Sequence, residues 1–330
     1  MTCKLTSGAE AGHTAIYLEN DLIRITVLPE KGADIYAFVH KPSGLDVLWK
    51  NPVGLWPPGS PPHDGSGDTG FLHNYEGCWQ ELFPSCNGPT TYQGQTMPMH
   101  GEVALLPWQY RIETHTADEL AVHFQVETRL TSFRLERTMR LARDAMQLTL
   151  DEKVTNIGNA EQHFAWGHHC VVGGPWLEAG CQLQAPAGTI HTLDQVYEET
   201  AQLAPGQKEP WPYARTRSGE RLDLRVVPGP EAHRHDDALL SDLTDGWVSV
   251  TNPRLNFSFS LHWDLAIFKW IMIWQVYGGA EALPFKGQAY ALGIEPWTNG
   301  EPLGEAVAAG AARRLQPGES FATRLEARIS

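Results

Sequence analysis

Three places in this chain set proton-carrying side chains where strand-like patterning calls for apolar ones. The first is Trp166-Gly167-His168-His169-Cys170, which runs on into Val171-Val172-Gly173-Gly174-Pro175. Neighbouring residues on a strand point to opposite faces, so only one of the two histidines can serve a given pocket. Imidazole titrates near neutrality and is the natural side chain for giving a proton there. The second place is Ala291-Leu292-Gly293-Ile294-Glu295-Pro296-Trp297-Thr298-Asn299-Gly300, where Glu295 ends an apolar run. A carboxyl in an apolar, aromatic setting has its pKa raised and becomes a usable base near neutral pH. The third is Met97-Pro98-Met99-His100-Gly101-Glu102, which by itself reads as a turn. Just upstream, Tyr75 to Pro84 reads as a loop containing Trp79, Gln80 and Glu81.

These residues must be held by strands. Ile16–Asn20 and Leu22–Leu28 read as a hairpin turning at Glu19-Asn20-Asp21, with further strands over Gly32–Val39 and Leu45–Trp49. Asn51 to Gly70 is rich in Pro, Gly, Ser and Asp and predicts a long surface loop. Strand signals resume at Trp108–Thr114, Glu119–Thr128, Phe133–Leu141 and Ala145–Asn156, an antiparallel meander. They return at Gly246–Asn252, Asn256–Trp263, Ile267–Val276, Gln288–Pro296 and Glu319–Ile329. Tyr197 to Asp237 is polar and turn-rich, an excursion from the sheets. Short helices are expected over Glu231–Leu240 and Leu303–Ala309. No repeat or linker interrupts the pattern, so one domain over residues 1–330 is expected.

Composition narrows the function. Charged residues make up 19% of the chain, with 31 glycines and 23 prolines, a mix suited to many strands joined by turns. The formal net charge of −14 repels phosphate backbones and anionic lipid, so neither nucleic acid nor membrane is expected as a partner. Five cysteines without a C-x-x-C pair suggest neither a disulfide framework nor a zinc cage. His233-Arg234-His235-Asp236-Asp237 lies in a charged segment and reads as a solvated surface patch, so no metal site is expected. Met1 to Thr14 carries no apolar signal-like run, and Leu265 to Tyr277 is too short to span a bilayer, so a cytoplasmic protein is expected. Twelve tryptophans fit a large aromatic core or sugar-stacking surfaces. The chain contains no G-x-S-x-G, Walker A or H-E-x-x-H motif.

Taken in order, His100-Gly101, His169-Cys170-Val171-Val172-Gly173 and Glu295, with Val154-Thr155-Asn156-Ile157-Gly158 before the second, resemble the aldose 1-epimerase (galactose mutarotase-like) family. The resemblance runs from about Ile16 to Ala327. The Asn-Arg segment of that family has no clear counterpart here, as Tyr75 to Pro84 lacks arginine. The resemblance implies an all-β fold, a β-supersandwich of two large antiparallel sheets with a sugar cleft on a concave face. It implies Glu295 as the base on the anomeric hydroxyl and His169 as the acid on the ring oxygen. His100 would bind substrate, joined by Trp79, Gln80, Glu81, His168 and Trp297. His168 is the rival to His169. Both half-reactions are proton transfers, so no cofactor is implied. The implied partner is a small-molecule sugar, and a monomer or homodimer is expected. Other readings are a binding protein that keeps the cleft without turnover, and an epimerase of a phosphorylated or otherwise modified sugar. The last would need arginine or lysine at the cleft, with Arg24, Arg134, Arg137 and Lys286 as the possible suppliers.

Overall fold

The computed structural model describes residues 2–60 and 70–330. Two antiparallel sheets dominate it. The larger has twelve strands, in spatial order Lys4–Glu10, His13–Glu19, Ile23–Leu28, Asp34–His40, Trp79–Leu82, Gly167–Gly173, Tyr290–Trp297, Trp270–Tyr277, Arg234–Ser241, Thr189–Thr192 and Lys208–Pro210, with Leu45–Asp46 paired to Asp34–His40. The smaller has eight: Gln182–Gln184, Trp247–Asn252, Phe257–Trp263, Ser320–Ile329, Gln147–Asn156, Phe133–Ala142, Glu119–Glu127 and Gln109–His115.

Side-chain alternation explains how the sheets meet. In Phe257–Trp263 every second residue is buried, so one face packs inward and the other is half-wet. The inward faces of both sheets merge into one apolar core, where Phe38 of the larger sheet meets Phe259 of the smaller at 5.4 Å between ring centroids. Gly167–Gly173 and most of Tyr290–Trp297 behave differently and are buried on both faces. A strand covered on both sides reads as a continuous apolar run, and this is why polar residues inside these two runs stand out in the sequence.

Turn chemistry fixes the hairpin of His13–Glu19 and Ile23–Leu28. The Asn20 carboxamide oxygen accepts the backbone N–H groups of Leu22 and Ile23, each at 2.8 Å, and its amide donates to the carbonyls of Ala142, which ends a strand of the other sheet, and of Ala145 in the turn after it. The predicted strands appear with shifted ends, and Leu303–Ala308 is helical as expected. Two expectations need correction. Glu231–Leu240 is not a helix: a 3₁₀ turn at Pro230–Ala232 leads into the strand Arg234–Ser241, which two neighbouring strands claim by backbone pairing. Ladder bonds on both sides outweigh a weak local helix preference. Residues 79–82, read as loop, form a strand between Asp34–His40 and Gly167–Gly173. The edge strand Lys4–Glu10 was not expected; it is mostly exposed and so lacks an apolar signal. Of the predicted loop Asn51 to Gly70, residues 61–69 lie outside the described residues, and 51–60 hold no regular strand. No helix among the described residues is long and apolar enough to cross a membrane.

Candidate active site

His169 and Glu295 are distant in sequence but sit on adjacent antiparallel strands. The register pairs Gly167 with Trp297 and Val171 with Gly293, which sets His169 opposite Glu295. Directly opposed residues share a sheet face. Here the His169 Nε2 and a Glu295 carboxylate oxygen lie 3.5 Å apart. Gly293 makes room for this: a Cβ there would stand 2.6 Å from the Glu295 carboxylate and 2.8 Å from the Trp274 Cβ. On the next strand Met272 pairs with Glu295, and Trp274 pairs in turn with Asp237 of the strand beyond.

Loops complete the walls. His100 has a left-handed backbone (φ 61°), and its N–H donates to the Asn87 carbonyl at 2.9 Å. The glycine after it is required: Gly101 has φ 74°, and a Cβ would fall 2.3 Å from the Phe83 carbonyl oxygen. The turn thereby aims the His100 ring at His169, 5.3 Å between centroids, with Phe71 4.6 Å from His100. Tyr75 stacks on Phe71 at 5.1 Å and meets the His169 ring edge-on at 5.0 Å. Together with Leu193, Met272, Trp274, Leu283, Phe285 and Trp297, these groups enclose a cavity of about 390 Å³. That is within the size range of small-molecule sites.

The electrostatics follow from burial without countercharge. Burial raises the Glu295 carboxyl well above the usual carboxylate range, and Asp237 raises it further, while the Trp297 indole N–H partly offsets both. Burial lowers His169 well below the ordinary histidine range, helped by the neighbouring His100. Burial takes His100 down to about 3. Asp237 is pushed up to about 7 by burial and by Asp236. Burial thus disfavours the charged form of each group, and so favours a protonated carboxyl beside a neutral imidazole. Such a pair can take a proton from one substrate oxygen and give one to another.

Of the residues singled out from sequence, His100, His169, Glu295 and Trp297 converge on this cavity. Trp79, Glu81 and His168 do not line it. They occupy the opposite face of the sheet, in the core between the layers, and the expectation that they touch substrate is corrected by that strand parity. There His168 Nδ1 accepts the Trp79 indole N–H at 3.2 Å, and Nε2 lies 3.2 Å from Glu152. Glu81 pairs with Arg137 at 3.0 Å and accepts the Trp166 indole N–H. Glu81, Glu152 and His168 are close enough to share a metal ion, but Arg137 already supplies the cation of this group. Gln80 pairs with His169 in register but does not line the cavity; its amide donates to the Gly77 carbonyl at 2.6 Å and to Asp34 and Glu76 at 3.4 Å. Sequence reasoning missed Tyr75, His235 and Asp237. The surface-patch reading of 233–237 is corrected: Arg234 and Asp236 are buried, while His235 and Asp237 line the cavity. The signal available was alternation, since His235, Asp237 and Leu239 share one side of a strand.

A family model described as "Domain of unknown function (DUF4432)" matches residues 10–329. No curated protein matches the chain. Among solved structures, the Slr1438 protein of Synechocystis sp. PCC 6803 superposes with a TM-score of 0.70 at 16% identity, covering 98% of each chain. A provisionally assigned aldose 1-epimerase from Klebsiella pneumoniae subsp. pneumoniae MGH 78578 gives 0.75 at 17% identity, over 98% of this chain and 81% of that one. A galactose mutarotase-like protein from Lactobacillus casei ATCC 334 gives 0.63 at 16%, over 96% and 100%. The fold is therefore the galactose mutarotase-like β-supersandwich, on a sequence far diverged from these neighbours.

Proposed function

The chain belongs to the DUF4432 family, and we propose that it is an aldose 1-epimerase, interconverting the α and β anomers of a free sugar. The observation that carries this reading is the buried His169–Glu295 pair, 3.5 Å apart and facing a cavity of about 390 Å³.

Anomer exchange needs one proton removed from the anomeric hydroxyl and one delivered to the ring oxygen. With the shared proton on His169, the Glu295 carboxylate takes the hydroxyl proton and the imidazolium protonates the ring oxygen. The C1–O5 bond opens to the aldehyde. The pair is then left neutral, with the proton on Glu295, which is the arrangement that burial favours. After rotation about C1–C2, His169 takes the proton back from the chain hydroxyl, the oxygen attacks the other carbonyl face, and Glu295 returns its proton to the new anomeric oxygen. Each group acts as acid in one direction and base in the other, and proton balance is restored each cycle. The bound aldehyde thus meets the protonation state that this cavity stabilises, as expected of a site complementary to the reacting species. His100 is neutral across the physiological range and supplies a hydrogen bond without charge.

The charge of the lining supports an uncharged substrate. Among the described residues, the cavity is lined by Glu198, Asp237 and Glu295 and by no lysine or arginine. Arg137 is engaged with Glu81 in the core, and Arg134 with Glu127 on the surface. The test is NMR exchange spectroscopy of equilibrated neutral aldoses, with and without protein. Line-broadening exchange between anomers that scales with protein concentration is expected for at least one. If every neutral, acidic and phosphorylated aldose exchanges at its buffer rate, the reading fails.

A further inference from the structure

Resting on the anomerase reading, we propose that Tyr75 is a third catalytic group, its phenol O–H donating a hydrogen bond to the anomeric oxygen while the proton of that oxygen passes to Glu295.

Tyr75 is 3% exposed and lines the cavity, yet its Oη makes no hydrogen bond among the described residues. A buried hydroxyl without a partner has given up water and gained nothing, and phenylalanine would fill the same space without that penalty. Such a group asks for a partner from outside the chain, and the cavity is where one would sit. Tyr197 is the other hydroxyl-bearing side chain of the lining, but it is 72% exposed, so Tyr75 is the hydroxyl held dry beside the proton-carrying pair. Open polar atoms on Trp297, His100, His235 and Asp237 remain for the rest of the sugar.

The phenol is held in place before any substrate arrives. Asn51 grips the chain on both sides of it: the side-chain amide donates to the Tyr75 carbonyl at 2.9 Å, and the backbone N–H donates to the Glu76 carbonyl at 2.8 Å. The Glu76 carboxylate is fixed in turn by the Lys31 ammonium at 2.5 Å. The ring packs on Phe71 and Trp49, with centroids at 5.1 and 6.0 Å, and its contact with His169 sets it at the reacting end of the cavity. A donor fixed in advance needs no reorganisation as charge develops.

The reaction makes use of such a donor. As Glu295 takes the hydroxyl proton, negative charge builds on the anomeric oxygen until the C1–O5 bond opens and the carbonyl forms. No lysine or arginine lines the cavity among the described residues, so a neutral group must meet that charge. Burial, and next Glu295, raise the phenol well above the ordinary tyrosine range, so it stays a donor. Tyr75 gives a hydrogen bond and never its proton, so the exchange between His169 and Glu295 balances as before.

The experiment measures anomer exchange by Tyr75→Phe on a sugar that the wild type turns over. The value of kcat should fall about 10²-fold, as for a lost oxyanion donor, with KM little changed. Urea unfolding should show stability equal to or above wild type, because the unpaired hydroxyl is gone. The loss should be the same at every pH where the wild type is active, since the phenol does not titrate there. An unchanged kcat overturns the role of Tyr75 and leaves the anomerase reading standing. So does a loss that tracks a fall in stability, or one confined to alkaline pH. No exchange by the wild type with any sugar overturns both.

Discussion

The two faces of the strand Gly167–Gly173 each hold a buried histidine beside a buried glutamate, and they differ in what surrounds the pair. On the inner face His168 lies 3.2 Å from Glu152 and 3.6 Å from Glu81, with Arg137 supplying a fixed positive charge. On the outer face His169 lies 3.5 Å from Glu295, and its other neighbours are aromatic rings and the neutral His100. Consecutive residues on one strand are driven in opposite directions. Burial lowers His168, but Glu81 and Glu152 outweigh it and the net shift is upward. Burial lowers His169 with nothing equal to oppose it. Burial alone therefore does not make a reactive histidine. The inner group is locked by countercharge, while the outer pair is the one to which the proposed reaction assigns the moving proton.

The largest expected effect separates the faces by activity. Glu295→Gln and His169→Asn should each reduce anomer exchange by about 10²–10⁴-fold while urea unfolding stays near wild type. If either variant keeps full activity, the outer pair is not the proton carrier. Next in size is the inner network. Arg137→Met removes the fixed cation from a buried group that holds two carboxyls, Glu81 and Glu152, and stability should fall by about 3–5 kcal/mol in urea unfolding. Activity per folded molecule should change far less than in Glu295→Gln. The reverse pattern, with stability kept and activity lost, would make the inner face part of the reaction.

How much of this was legible in the sequence depends on strand parity. Antiparallel strands were readable because alternation in runs such as Phe257–Trp263 follows directly from one wet and one dry face. His169 and Glu295 were readable because they interrupt runs that are apolar on both faces. Strand order was not, so nothing local told that Asp237 would face Trp274, a residue from a much later strand. Trp79, Gln80 and Glu81 show the same limit: without knowing that Trp79–Leu82 is a strand, three consecutive polar or aromatic residues cannot be sorted between two faces. Asp237 was further hidden in a charged run whose helix-like composition the ladder bonds overrode.

A smaller effect tests the electrostatic coupling on the outer face. Asp237 helps to raise Glu295 after burial has done most of it. In Asp237→Asn the Glu295 carboxyl ionises more easily, so the high-pH limb of the exchange-rate profile should move to lower pH. Asp237 itself takes up charge only above about 7, so the difference between the two proteins should grow there. A limb that stays in place would show that Asp237 does not sense Glu295.

The smallest effect belongs to the inner histidine and is read in stability against pH. The folded His168 holds its proton more tightly than the unfolded chain does, because Glu81 and Glu152 outweigh the cost of burial. A raised folded pKa means that the folded state binds more protons, so stability falls as pH rises through the titration. The stabilising contribution is thus fully present below about pH 6.5, the unfolded histidine value, and disappears as pH passes the folded one. Glu81, raised by burial and by Glu152 to about 7, adds a loss of the same sign over the range above the ordinary carboxyl value. Wild type should therefore exceed His168→Gln in stability most at mildly acidic pH, and the gap should close on going alkaline. The same comparison with His169→Gln should show the opposite slope, because the folded His169 gives up its proton more readily than the unfolded one. Two parallel curves would mean that the adjacent histidines share one environment, and the division between a locked face and a working face would not hold.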